Sequence, residues 1–144
     1  MKRTVLLLLL AIAGTMVCAE PATIGVLTLE IPDGFKIEKK QEKDPLGDLE
    51  VNRWRSEDGR SIELLYFVSG PKQDRGPMVA TEKEEIEVAG QKTTLIETEE
   101  FFGEVKRVFV VYLRFGNSIY IFDSEQMSKE EFKLWLTSHV ILRH

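Results

Sequence analysis

Short stretches of alternating apolar and polar residues follow one another along most of the chain. This period of two is typical of β-strands that bury one face. It runs through residues 24–31 and 35–38 and returns in 49–54. Residues 62–68 and 108–113 are almost wholly apolar instead. A continuous apolar run of that length favours a central strand covered on both faces.

Turn residues separate these stretches and predict hairpins. The strongest signal is Asp58-Gly59, because glycine readily adopts the positive φ that tight hairpin turns require. Pro32-Asp33-Gly34, Ala89-Gly90 and Gly116-Asn117 give further turns. The segment 69–77 is rich in glycine, proline and charge and predicts a loop.

The last element is predicted to be a helix that begins after Ser128. Ser128 is a suitable N-cap, and Glu131 lies three residues on, as in a capping box. One apolar stripe follows at helical spacing, formed by Phe132, Trp135, Leu136, His139 and Val140. The sequence therefore predicts an α+β domain: an antiparallel, meander-like sheet of about six to seven strands, with a C-terminal helix packed on one face.

The first nineteen residues have the pattern of a cleavable export signal. Lys2 and Arg3 precede an apolar run over 5–13, and Val17-Cys18-Ala19 places small residues before the expected cleavage site. Lipidation at Cys18 fits less well, because lipoprotein signals carry a small residue directly before the cysteine. We therefore expect cleavage after Ala19, and a single periplasmic or secreted domain over 20–144.

Charge and cysteine content narrow the function classes. Removal of residues 1–19 leaves 17 basic and 24 acidic residues, a net charge of −7. Phosphate recognition needs clustered lysine and arginine, so nucleic acid is not an expected partner. We also expect no stable membrane insertion after signal cleavage. Cys18 is the one cysteine of the chain, so the mature domain has no thiol for zinc or for catalysis.

Two acidic stretches would be brought together by the hairpin at Ala89-Gly90. They comprise Glu82, Glu84, Glu85, Glu87, Glu97, Glu99, Glu100 and Glu104. Three interpretations stay open: a calcium site, a negative patch for a basic partner, or a solvated strand face. Next to them, Phe101 and Phe102 cannot both point inward along a regular strand, so one is a candidate contact anchor. The candidate binding residues are Glu97, Glu99, Glu100, Phe101, Phe102 and Glu104.

No catalytic or metal-binding motif is present in the sequence. His139 lies on the apolar stripe of the predicted helix and is expected to be a partly buried packing residue, while His144 is terminal. There is no Gly-x-Ser-x-Gly motif, no glycine-rich phosphate loop and no calcium-loop motif. We therefore expect a protein that is not an enzyme and that uses no cofactor or metal.

Three segments resemble the PsbP-like and DcrB-like families of small, mostly secreted domains. They are LTLEIPDGFKIEKK (27–40), EEIEVAGQKTTLIE (84–97) and SKEEFKLWLTSHV (128–140). The resemblance implies helices around an antiparallel sheet. It also implies a role such as assembly factor, extrinsic subunit of a membrane complex or adaptor chaperone, and it carries no shared catalytic residues.

The leading hypothesis is an exported, non-enzymatic protein-binding or assembly domain of the cell envelope. An immunity or accessory protein is one version of it, because such proteins are small, acidic and exported when their toxin acts in the periplasm. The alternative is a periplasmic domain that binds a small ligand or calcium.

Overall fold

The computed structural model describes residues 18–41, 49–68, 80–101 and 104–143. Ten strands and one helix lie in these ranges. The strands are β1 (Cys18–Ile24), β2 (Leu27–Pro32), β3 (Phe35–Gln41), β4 (Leu49–Ser56), β5 (Ser61–Phe67), β6 (Ala80–Val88), β7 (Gln91–Phe101), β8 (Glu104–Phe115), β9 (Ser118–Glu125) and β10 (Val140–Leu142), and the helix is α1 (Lys129–His139). Most of the predicted signal segment and the predicted loop over 69–77 lie outside the described residues.

Seven strands form one antiparallel sheet in the order β3-β4-β5-β9-β8-β7-β6. The prediction of six to seven antiparallel strands followed by a helix on one face is confirmed. The hairpin turns at Gly59, Gly90 and Gly116 are also confirmed, and each glycine has a positive φ. The sheet consists of two meanders joined where β5 pairs with β9, so β5 is a central strand and buries both Leu64 and Leu65.

The prediction of one strand over residues 24–31 is wrong. The chain turns at Gly25-Val26, and β1 and β2 form a hairpin that β10 extends into a separate three-stranded sheet. The alternating pattern does not reveal this turn, because Gly25 is a single residue between the apolar residues Ile24 and Val26. The φ of Gly25 is +58°. A two-residue turn with glycine first suits a tight hairpin.

The small sheet and α1 both lie on the same face of the seven-stranded sheet, which we call the covered face. Its core contains Trp54, Leu64 and Phe122 from the large sheet and Leu27 and Leu29 from the small one. A smaller apolar cluster on the second face contains Leu65, Val108, Val110 and Ile121. The covered face therefore holds the main core.

The helix prediction is confirmed in its start and its apolar stripe. The Ser128 hydroxyl accepts a hydrogen bond from the Glu131 N–H at 3.1 Å, and Phe132, Trp135 and Leu136 are buried. Two details differ from the prediction. The Glu131 carboxylate pairs with Arg60, and Val140 leaves the helix to begin β10.

Candidate functional site: the acidic hairpin and an apolar cleft

The β6–β7 hairpin brings the two acidic stretches together, as the sequence predicts. Glu82 lies directly opposite Glu97 in the register of the two strands. Facing residues of paired strands point to the same side, so both carboxylates share one face of the sheet. Like charges in directly opposed positions repel, and this arrangement therefore needs cations nearby or a partner.

Two lysines of α1 supply part of that positive charge. Lys129 Nζ lies 3.5 Å from Glu82 Oε1 and 3.3 Å from Glu84 Oε2, and Lys133 Nζ lies 2.8 Å from Glu84 Oε1. The hydrogen bonds from Lys133 and Lys129 lower the pKa of Glu84. These ion pairs connect the helix to β6, so Glu84 has a structural role.

The carboxylates of β7 share a cation from β8. Arg107 Nε lies 3.3 Å from Glu97 Oε1, and an Arg107 terminal nitrogen lies 3.5 Å from Glu99 Oε1. The side chains of Glu82 and Glu99 nevertheless remain 59% and 62% exposed. They are accessible to a partner despite the internal pairs.

The other candidate binding residues lie near the open end of this hairpin. Glu100 and Phe101 belong to β7 and Glu104 to β8, and Phe101 is opposite Glu104 in the register. Phe102 lies outside the described residues. The suggestion that Phe101 or Phe102 is an exposed anchor stays a prediction.

His139 has the partly buried position predicted for it. Its Nδ1 lies 3.3 Å from Glu30 Oε1, so the end of α1 contacts β2. The described residues hold no group of three or more His, Cys, Asp or Glu side chains placed to bind a metal ion. Within the same ranges, no helix is long and apolar enough to cross a membrane.

Two buried carboxylates on the second face were not predicted. Glu63 and Asp123 lie opposite each other on β5 and β9 and are both buried. Arg53 of β4 is next to Glu63 in the register and donates from Nε to Glu63 Oε2 at 2.9 Å. An alternating pattern predicts only which residues of a strand share a face. The order in which β4, β5 and β9 pair could therefore not be derived from it.

A cleft of about 660 Å³ lies between β1 and the β3–β4 edge of the large sheet. It exists because the small sheet and α1 leave this end of the covered face open. Its apolar lining includes Ile24, Ile31, Phe35, Ile37 and Trp54. The sequence did not reveal it, because the predicted single strand over 24–31 contained no second sheet to form the opposite wall.

Asn52 is a buried polar residue in the lining of this cleft. It is 2% exposed and lies on β4 two positions from Trp54, so the two side chains share the covered face. Its Nδ2 is buried and has no hydrogen-bond acceptor among the described residues. Glu50 also lines the cleft.

No protein-family model matches this chain, and no curated protein matches it significantly. The resemblance to the PsbP-like and DcrB-like families therefore stays a prediction.

Proposed function

We propose that this chain is an exported, non-enzymatic protein-binding or assembly domain of the cell envelope. Its contact surface is the acidic hairpin, defined as Glu82, Glu97, Glu99, Glu100 and Glu104 with Phe101 and Phe102. The α+β class and the affiliation with PsbP-like or DcrB-like domains belong to the same proposal, as does an immunity or accessory role.

One observation carries the proposal: Glu82 and Glu97 are directly opposite each other on paired strands. Two like charges in directly opposed positions repel each other. Lys129 and Arg107 offset the repulsion in part. The Glu97 side chain is only 18% exposed, whereas Glu82 and Glu99 keep most of their surface accessible to solvent. A basic partner would relieve the remaining repulsion and would be steered towards this surface by its charge.

The test is affinity capture from an envelope extract of the source organism. The protein should retain a specific partner that is lost when Glu82 and Glu99 are both replaced by lysine. The matched control replaces Glu85 and Glu87, which are exposed on the other face of the same hairpin. This control variant has the same change in net charge, and it should still retain the partner. Equal loss in both double variants would contradict a contact at this surface.

Small-ligand binding is a second candidate, and the cleft beside Trp54 favours it. Its volume lies within the range of roughly 300–1,000 Å³ that is usual for ligand sites.

A further inference from the structure

The cleft has the composition of a ligand site, on a different surface from the acidic hairpin. Ligand sites are concave and mostly apolar, with a few polar groups that orient the ligand. Here Trp54 and Phe35 form buried apolar wall, and Asn52 supplies a polar group among them. The inference extends the second candidate function and does not depend on protein binding.

Part of the apolar lining is left in contact with water. Ile37 of β3 is 52% exposed although it lies opposite the buried Trp54 in the register. An apolar side chain at the rim of a concave surface gains free energy when a ligand removes it from water. The cleft therefore favours a molecule with apolar parts.

Asn52 indicates the polar feature of that molecule. A side-chain amide has two N–H donors, and a buried donor without an acceptor is costly and uncommon in folded proteins. Leucine would fill a similar volume at this position without the cost. The unpaired Nδ2 thus points to an acceptor oxygen supplied from outside the chain.

The edge of β1 disfavours a peptide strand as the occupant. β1 pairs only with β2 among the described strands, so its other edge could receive a strand. Pro21 has no N–H to donate there. Proline at an edge opposes strand addition.

We propose that this cleft binds a small organic molecule that has apolar groups and one carbonyl oxygen, with the oxygen accepting a hydrogen bond from Asn52 Nδ2. The apolar groups lie against Trp54 and Ile37. The molecule is recognised by shape and by one amide donor, and the chain performs no chemistry on it.

N-Butylbenzamide is a suitable probe, because one amide carbonyl separates its two apolar groups. In a ¹H–¹⁵N NMR titration, the probe should shift the side-chain amide resonances of Asn52 and the indole resonance of Trp54 in a saturable way. The indole of Trp135 is an internal control, because its Nε1 donates to the Glu30 carbonyl at 2.9 Å and the residue is fully buried. It should not shift.

Asn52→Leu separates ligand recognition from folding. The variant should unfold at the same or a higher denaturant concentration than the wild type, because an unsatisfied amide is removed. It should bind the probe about fivefold more weakly, which is the usual net effect of one lost hydrogen bond. A purely structural residue would not produce gain in stability together with loss of affinity.

Ile37→Ser tests the apolar wall and has a matched control. Leu134 is an exposed apolar residue on α1, 51% accessible and not part of the cleft lining. Ile37→Ser should weaken probe binding, whereas Leu134→Ser should not. The proposal is overturned if the probe gives no saturable shift at Asn52 and Trp54, or if Asn52→Leu binds it as tightly as the wild type.

Discussion

The Tyr120 hydroxyl accepts a hydrogen bond from the backbone N–H of Val26 at 2.9 Å. Tyr120 is a fully buried residue of the seven-stranded sheet, and Val26 lies in the β1–β2 turn of the small sheet. The Tyr66 ring stacks on Tyr120 at 4.7 Å between centroids. The Tyr120 side chain thus connects the two sheets at the Gly25-Val26 turn, which the alternating pattern did not predict.

Replacement of Tyr120 by phenylalanine should lower the free energy of unfolding by about 1 kcal/mol, because it removes this hydrogen bond and leaves the ring packing unchanged. Urea denaturation at neutral pH measures the loss. A variant as stable as the wild type would mean that the hydroxyl contributes nothing to the attachment of the turn.

The same hydroxyl predicts a loss of stability in alkali. Burial raises the pKa of Tyr120 from 10.0 to about 12, so the folded state holds the proton more tightly than the unfolded state. The protonated Tyr120 hydroxyl makes its full contribution to the free energy of unfolding below pH 10, and this contribution is lost as the pH rises to about 12. The slope is at most about 1.4 kcal/mol per pH unit. Tyr120→Phe should lack this part of the alkaline slope, and identical slopes would refute the assignment.

Gly25→Ala should be more destabilising than Gly116→Ala. The two glycines have nearly the same φ, +58° and +60°, so alanine meets similar backbone strain at both. A Cβ at Gly25 would also collide with the Tyr120 hydroxyl and lie 2.8 Å from that of Tyr66, whereas nothing lies within 4 Å at Gly116. We expect about 1 kcal/mol for Gly116→Ala and at least twice that for Gly25→Ala. Equal losses in thermal or urea unfolding would exclude the close approach.

Arg53→Met should cost more than Arg55→Met, although both arginines lie on β4. Arg53 pairs with Glu63, whose side chain is 11% exposed, and its loss leaves a nearly buried carboxylate without this cation. Arg55 pairs with Glu38 at the surface, where both side chains are more than a third exposed. We expect about 2 kcal/mol for Arg53 and below about 0.5 kcal/mol for Arg55. Similar losses at the two sites would show that burial does not set the difference.

Ser128→Ala should destabilise the protein by about 1 kcal/mol, because the N–H of Glu131 loses its acceptor at the start of α1. Ser138 lies exposed near the other end of the same helix and is the natural comparison. Ser138→Ala should be close to neutral. Circular dichroism melting curves measure both, and a neutral Ser128→Ala would contradict the cap.

Local patterns were sufficient for most of the fold. The hairpins at Gly59, Gly90 and Gly116 and the cap at Ser128 each depend on a few adjacent residues, and all were predicted correctly. The pairing of β5 with β9 and the split at Gly25 depend on contacts between distant residues. The Gly25 turn is fixed by a tyrosine 94 residues away from Val26, and no local pattern records such a contact.

For the same reason, the candidate site could be predicted only in part from the sequence. The meeting of the two acidic stretches followed from one hairpin and was predicted. Their pairing with Lys129 and Arg107, and the cleft with Asn52, depend on how separate elements pack. Alternating apolar residues predict which face of a strand is buried, but they do not predict which element packs against that face.

Site-specific photocrosslinking tests the central claim, that the acidic hairpin is a protein contact surface. A photoreactive phenylalanine analogue at position 99 should give one defined adduct with another protein in envelope extract. The same analogue at position 87, exposed on the other face of the hairpin, should give none. Absence of an adduct at position 99, or the same adduct from both positions, would contradict the account.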